Sequence, residues 1–434
     1  MCADKLPTNF LAQAPLPSYD QLVNCMHCGM CLPTCPTYSE TGMEINSPRG
    51  RIHLIRAVAD GKLGITDRFK ESIEYCLNCQ ACVTSCPAGV RYGQLVEAAQ
   101  LQIAAHEKVE RGGASLREKI MDWLFADLRR LNFVGRLMGL YQKIGFQSLV
   151  QASGILKLIS QKLHEMSFMT PTVSAGRKYR AKSRHQSRGK VGILIGCVQD
   201  VFFKDVNQDT IDVLEYNGYE VFIPAVSYCC GSVHGHNGNA EMARELAVKL
   251  MNAFDTANVD HIVLNSAGCG AYMKEYGELF ENDPLHKEMA RKFSGKVKDI
   301  TEFLTENGWQ IPQNPGNMKV TYHEPCHLVH SQKVSEQPRK IIGSIPGIEF
   351  IDLPEATWCC GSAGIYNILR YEDSMKVLER KMRNIQQTGA DWIITGNPGC
   401  MIQLMYGVKK YNLNMRVIHP VTLLKMAYQE RENK

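Results

Sequence analysis

Apolar positions along this chain change their period, and each regime predicts a different kind of structure. In "SPRGRIHLIRAVADGKLG" they recur at helical spacing, with Ser47 as a cap, Pro48 in the first turn and Gly61 or Gly64 as a stop. "GQLVEAAQLQIAAHEKVE" carries a second helical pattern. From about residue 115 to 170 helical spacing continues, interrupted by glycines. Beyond residue 190 short β-branched runs alternate with helical patterns. "KVGILIGC", "YEVFIP" and "HIVLN" read as strands and "NAEMARELAVKLMNAF" as an amphipathic helix. The same order returns in "MKVTYHEPC", "IEFIDLP", "YEDSMKVLERKMRNIQQ" and "DWIITGNPGC". Such alternation predicts parallel α/β units, so the expected class is α+β: a helical section followed by two similar α/β lobes. The expected divisions are 15–110, a connector and linker over 111–189, and lobes over 190–315 and 316–434.

Composition narrows the function classes. A chain of 434 residues, 44% hydrophobic and 21% charged, can bury several cores. A net charge of +5 gives little basis for binding nucleic acid, and none is expected as a partner. The basic excess is local. Residues 116–166 hold eight Lys or Arg against four acids, and "RKYRAKSRHQSRGK" adds seven with no acid. A solvated connector accounts for this, and so does a surface that docks on anionic lipid or an acidic partner. "LPTNFLAQAPLPSYD" is a proline-punctuated arm and not a signal peptide. No run reaches the roughly 20 apolar residues that a spanning helix needs. A cytoplasmic protein is expected, with peripheral contact at the inner face of the cell membrane.

The 17 cysteines are the anomaly, because they cluster instead of spreading as disulfide partners would. C-x2-C-x2-C-x3-C-P occurs twice: Cys25, Cys28, Cys31 and Cys35 before Pro36, and Cys76, Cys79, Cys82 and Cys86 before Pro87. This run resembles that of bacterial two-cluster ferredoxins, in which the fourth cysteine ligates the other cluster. By that rule Cys25, Cys28, Cys31 and Cys86 hold one [4Fe–4S] cluster, and Cys76, Cys79, Cys82 and Cys35 hold the second. Zinc, the competing metal, has no use for a third cysteine at the same step. His27, inside the first loop, is expected to pack or to tune the cluster and not to ligate iron. Arg49, Arg51 and Arg56, on the helix between the runs, are placed to offset cluster charge.

The second half repeats itself. Cys197, Cys229, Cys230 and Cys269 match Cys326, Cys359, Cys360 and Cys400 at shifts of 129, 130, 130 and 131 residues. These cysteines are expected on loops at strand ends, where open sheets place their sites. Vicinal cysteines close a strained disulfide and suit bridging between neighbouring metal atoms better, and Gly231 and Gly361 let the backbone approach. Two matched sets of four are poorly explained as buried free thiols. They are therefore further candidate ligands for one or two additional clusters. His234, His236, His323, His327 and His330 lie nearby in sequence as candidate ligands or proton carriers.

"NCMHCGMCLPTCPTY", "SPRGRIHLIR", "CLNCQACVTSCPAGV", "YCCGS", "NSAGCG", "YHEPCHL", "WCCGSAGIYN" and "GNPGC" resemble the iron–sulfur subunit of glycolate oxidase across nearly the whole chain. The CCG repeats are similar to the cysteine-rich domain of heterodisulfide reductase-type subunits. Iron–sulfur subunits of lactate-utilising and anaerobic glycerol-3-phosphate dehydrogenases share the layout. In the heterodisulfide reductase pattern each lobe ends in C-x2-C, whereas Ser266 and Asn397 stand here at the first of those positions. That departure counts against a noncubane cluster and against disulfide-reducing chemistry. The chain has no G-x-G-x-x-G loop, no P-loop and no G-x-S-x-G elbow. The resemblance implies an electron-transfer subunit with no catalytic residue of its own. Its partner would carry FAD and oxidise a 2-hydroxy acid, since hydride removal needs such a cofactor, and electrons would pass on to a quinone or another carrier.

Overall fold

Ser47 accepts a hydrogen bond from the Gly50 amide at 3.0 Å and Pro48 takes the first turn, so a helix runs Pro48–Ala59 as its sequence predicts. It ends at Asp60, followed by Gly61 at φ 69°. The structure is a computed structural model and describes residues 8–174, 178–181, 188–255, 257–312 and 317–429. Ile52, Ile55 and Val58 of this helix pack with Phe69, Ile73, Leu95, Val96 and Ala99. The last three lie on the helix Tyr92–Arg111, which closes at Gly112 in the left-handed region.

The connector is a series of helices, Leu116–Phe125, Leu128–Lys143, Phe146–Ser153, Ile155–Ile159 and Gln161–Ser167. Gly145 and Gly154, both left-handed, make two of the breaks. One face docks on the first lobe through Leu128 and through Gly135, where a Cβ would come within 2.8 Å of Val201. The other face is apolar and outward. Leu116, Ile120 and Trp123, then Phe133, Leu137, Leu140 and Ile144, recur at helical spacing and are exposed.

The lobes have the same topology. Strands β1 (Lys190–Ile193), β2 (Glu220–Phe222), β3 (His261–Leu264) and β4 (Val297–Asp299) form a parallel sheet in the order β2-β1-β3-β4. Strands β5 (Met318–Tyr322), β6 (Ile348–Ile351), β7 (Trp392–Ile394) and β8 (Arg416–Ile418) repeat it as β6-β5-β7-β8. The α+β class read from the sequence is observed. The edge strands β4 and β8 are additions to that reading, which marked no strand at Val297–Asp299 or Arg416–Ile418. In each sheet the connection changes direction between the first and third strands, which opens a crevice at their carboxyl ends. Val191 and Ile193 share one continuous core with Val320, Tyr322, Ile393 and Ile394, so the lobes are fused. Tyr216 stacks on Tyr428 across them at 4.0 Å, and the Ala267 amide donates to the Gly396 carbonyl at 3.2 Å.

Two glycines hold the lobes in this shape. Gly231 at φ 86° faces the Ala243 carbonyl and Gly361 at φ 89° faces the Ser374 carbonyl. A Cβ at Gly361 would stand 2.6 Å from that oxygen in a backbone region that L side chains rarely adopt. We expect Gly361→Ala to cost about 3 kcal/mol, read as a lowered urea midpoint at unchanged slope. A midpoint equal to that of the parent protein would refute the close approach.

Candidate metal centres

Both ferredoxin-type loops bend the same way. His27 (φ 52°) and Gly29 (φ 86°) are left-handed in the first, and Asn78 (φ 47°) and Gln80 (φ 60°) in the second. These are the second and fourth residues after the leading cysteine of each run. A left-handed non-glycine residue costs about 1–3 kcal/mol, so its recurrence at matching steps reflects a constraint on where the thiols point. The Asn78 amide donates to Cys76 Sγ at 3.4 Å, and the Tyr92 hydroxyl does so at 3.4 Å.

The loops bound two neighbouring cavities. Cys25, Cys28, Cys31 and Cys86 line one. Cys76, Cys79, Cys82 and Cys35 line the other. Cys82 borders both. The fourth thiol of each run thus lies with the first three of the other. Burial pushes the Cys79 and Cys82 thiols well up as free groups, whereas a coordinating metal removes the proton outright.

The donor set and its surroundings fit an anionic iron–sulfur group. Arg51 is fully buried and lines the second cavity. Its Nε donates to the Ser72 carbonyl at 2.7 Å and its Nη2 to Thr37 Oγ1 at 3.0 Å, while Nη1 is buried with no aligned partner. Burial alone would lower the Arg51 pKa, yet Tyr92, Cys76 and Cys35 together raise it. A buried, incompletely paired cation of this kind is costly unless an anion faces it. Arg49 lines the first cavity and also braces its loop, donating to the His27 carbonyl at 2.9 Å and to Glu44 at 2.6 Å. Arg56 lies farther off, 3.9 Å from Asp60.

The lobe cysteines all follow strand ends, but not all on loops as expected: Cys197, Cys269 and Cys400 stand in the first turns of the helices Cys197–Phe202, Ala267–Lys274 and Pro398–Lys410. In the first lobe Cys197 lies 3.9 Å from Cys229, and Cys230 neighbours both Cys229 and Cys269. In the second, Cys359 neighbours Cys326 and Cys360, and Cys360 lies 3.4 Å from Cys400. The residues in place of the fifth cysteine have other duties. Asn397 Oδ1 accepts from the Gly268 amide of the first lobe at 3.1 Å, and its Nδ2 donates to Cys400 Sγ at 3.5 Å. Ser266 precedes a helix, Ala267–Lys274, and is hydrogen-bonded to Cys269.

The second lobe abuts the ferredoxin-type section at its Cys79 edge. Leu77, Trp358, Cys359, Tyr366 and Val377 form one buried cluster, with Cys79 and Cys326 packed against it. His327 Nε2 bonds the Asn78 carbonyl at 2.9 Å and His330 Nδ1 bonds Thr84 Oγ1 at 2.9 Å. These two histidines are therefore clamps. The first lobe approaches through Arg91 and Glu278 at 2.7 Å and through His236 and Glu97 at 3.1 Å. His234 faces Asp122 of the connector at 3.3 Å. Sequence reading missed Lys381, which is fully buried near the second set of thiols. Its signal was a lysine on the apolar stripe Ser374, Val377, Leu378, Lys381, Ile385.

Comparison with known proteins matches this layout. Residues 21–90 match the 4Fe-4S dicluster domain family, residues 191–274 and 320–405 each match the cysteine-rich domain family, and residues 113–170 match the linker region of the glycolate oxidase iron-sulfur subunit. The chain is 38% identical over 419 residues to the probable glycolate oxidase iron-sulfur subunit of Bacillus subtilis (strain 168), covering 93% of both. It is 32% identical to the glycolate oxidase iron-sulfur subunit of Escherichia coli (strain K12), covering 88% of this chain and 89% of that one. Lactate utilization protein A of Oceanobacillus iheyensis is 30% identical over 54% of this chain and 96% of its own.

The junction with the first lobe should be pH-sensitive. Burial, with Glu97 adding to it, pushes the Glu275 carboxyl up to about 8. Burial would lower His236, but the Glu97 carboxylate more than reverses that. Both groups bind their proton more tightly folded than unfolded, so both contributions are complete at low pH. Glu275 loses its share from about 4.5 up to about 8, and His236 loses its share as pH passes its raised value. We expect amide-exchange protection of the helix Tyr92–Arg111 to fall roughly tenfold, about 1.4 kcal/mol, between pH 5.5 and 8.5. Glu275→Gln should flatten most of that slope, and an unchanged slope would exclude this carboxyl as the cause.

Proposed function

Since the chain belongs to the family of glycolate oxidase iron–sulfur subunits, we propose that it carries electrons for a complex in which a separate FAD subunit oxidises glycolate or a similar 2-hydroxy acid. The observation that carries the reading is the interleaving of the two cysteine runs across adjacent cavities. On this reading Cys25, Cys28, Cys31 and Cys86 ligate one [4Fe–4S] cluster and Cys76, Cys79, Cys82 and Cys35 ligate the second. Such clusters, when bound, supply one-electron carriers and no bond chemistry on substrate. The polypeptide holds thiolates at set positions, Arg51 offsets their charge, and the packing of Leu77, Trp358 and Tyr366 excludes water from the Cys79 edge. The acceptor beyond this chain is a quinone or another carrier.

Disulfide reduction by the lobes is the weaker reading, because Asn397 bonds the first lobe where a fifth cysteine would be needed. The linker supports a further element of the proposal, peripheral membrane contact. Among the described residues no helix is long and apolar enough to cross a membrane, yet the connector turns an apolar stripe outward beside an excess of Lys and Arg. That combination suits the surface of an anionic bilayer. The basic run follows the connector in sequence; its Arg177 and residues 182–187, with Lys182 and Arg184, lie outside the described residues.

Two outcomes test these assignments. Cys35→Ser should abolish the paramagnetic signal and iron of the cluster held by the second run and leave the first intact; loss confined to the first would overturn the crossed ligation. Replacing Phe133, Leu137 and Leu140 with Ser, or neutralising Arg177, Lys178, Arg180 and Lys182, should release the protein from anionic vesicles in flotation assays by tenfold or more. Unchanged flotation, or loss of the FAD subunit instead, would reassign the surface.

A further inference from the structure

The two sets of lobe cysteines match in sequence, but their surroundings do not. Strand registry aligns the repeats. Val191 pairs with His261 as Val320 pairs with Trp392, and the Leu194 and His323 amides donate to the equivalent carbonyls of Val263 and Ile394 at 3.0 and 2.9 Å. His323 therefore occupies the place of Leu194. On the helices that follow the vicinal cysteines, Gly231 rests on Ala243 as Gly361 rests on Ser374. The same shift of 131 residues places Lys381 where the first lobe has Leu250.

Both substitutions introduce a buried polar group, which is costly without a partner. His323 is 0% exposed, and neither ring nitrogen has an aligned hydrogen-bond partner. A ring nitrogen of His323 and the thiols of Cys360 and Cys400 all lie within 4.8 Å of one another. Lys381, also 0% exposed, donates to the Glu355 and Ala356 carbonyls at 2.5 and 3.2 Å and neighbours Cys360 and Cys359. An imidazole with a free nitrogen and two thiols is a ligand set, and a buried ammonium beside it favours negative charge there. The first lobe has leucine at both places, and its buried His234 is turned to the Asp122 carboxylate. The second lobe also meets the ferredoxin-type section at Cys79, through Cys326 and Cys359.

We propose that the second lobe holds a third iron–sulfur centre with His323 as a ligand beside Cys360 and Cys400, Cys326 and Cys359 supplying the remaining thiolates. This rests on the iron–sulfur reading of the two cysteine runs and extends the path from the Cys79 edge into the lobe. His323 is a neutral fifth ligand beside four thiolates, and the buried Lys381 ammonium near Cys360 and Cys359 favours the more negative, reduced state and so raises the potential. The third centre accepts electrons before either ferredoxin-type cluster.

The full chain, purified anaerobically, provides the test. Iron should exceed the roughly eight atoms that two [4Fe–4S] clusters account for. Pulsed paramagnetic resonance of partly reduced protein should show nitrogen coupling on the centre that reduces first. His323→Leu, which installs the first lobe's residue, should abolish that coupling and lower or eliminate the centre's reduction, with both ferredoxin-type signals retained as the control for folding. Cys400→Ser should remove the same centre, and Lys381→Met should keep the coupling while lowering the potential. Intact ferredoxin-type signals with no excess iron, zinc in its place, or no nitrogen coupling in the parent protein would overturn the proposal alone. Absence of the ferredoxin-type signals themselves would instead overturn the wider reading.

Discussion

A thiol that belongs to its neighbour's cavity cannot move independently of it, and Cys35 and Cys86 impose that condition on the two loops. Each loop aims three sulfurs inward by accepting left-handed residues at the same two steps, and each then contributes its fourth sulfur across the gap. The intervening polypeptide is built to hold that exchange. Ser47 and Pro48 start a helix whose inner face carries Ile52, Ile55 and Val58 into the core, and the same helix delivers Arg51 to the second cavity. Apolar packing and charge compensation come from one element, so neither can be altered without disturbing the other.

The rest of the molecule is arranged around that pair of cavities, and unevenly. The second lobe is attached at Cys79 by an apolar cluster and by histidines that bond backbone and hydroxyl groups, with an ion pair of Arg370 and Glu71 beside them. The first lobe is attached by charged groups, Arg91 with Glu278 and His236 with Glu97, and its Cys197 and Cys229 lie beneath the connector. Apolar burial is indifferent to pH and salt, whereas charged contacts respond to both. Two copies of one fold thus sit against the ferredoxin-type section in different ways, the second through an apolar cluster backed by an ion pair and the first chiefly through charged pairs. The connector adds another surface, with one face closing the first lobe and the other apolar and unpaired among the described residues.

Much of this was legible along the chain. The capped helix at Ser47, the glycine breaks of the connector and six of the eight strands follow from local patterns. Strands β4 and β8 did not, since their residues, with Lys298 and Asp299 in one and Arg416 in the other, carry little strand pattern and are recruited by β3 and β7. The histidines show the limit more sharply. His323, His327 and His330 lie within eight residues, yet His327 and His330 are clamps and His323 alone faces thiols without a hydrogen-bond partner. Side-chain direction at a strand end depends on what packs above it.

The sequence by itself determined the ligand chemistry and the repeat: which residues are thiols, at what spacing, and that the α/β unit occurs twice. Spacing of a few residues is a local property, carried by the chain in any fold. Tertiary structure alone decided which thiols share a cavity, which lobe meets the Cys79 edge, and that Arg51 and Lys381 are buried beside sulfur. Those pairings join residues from 16 positions apart, Cys35 and Arg51, to 280 apart, Cys79 and Cys359, and only the burial of the shared cores brings them together.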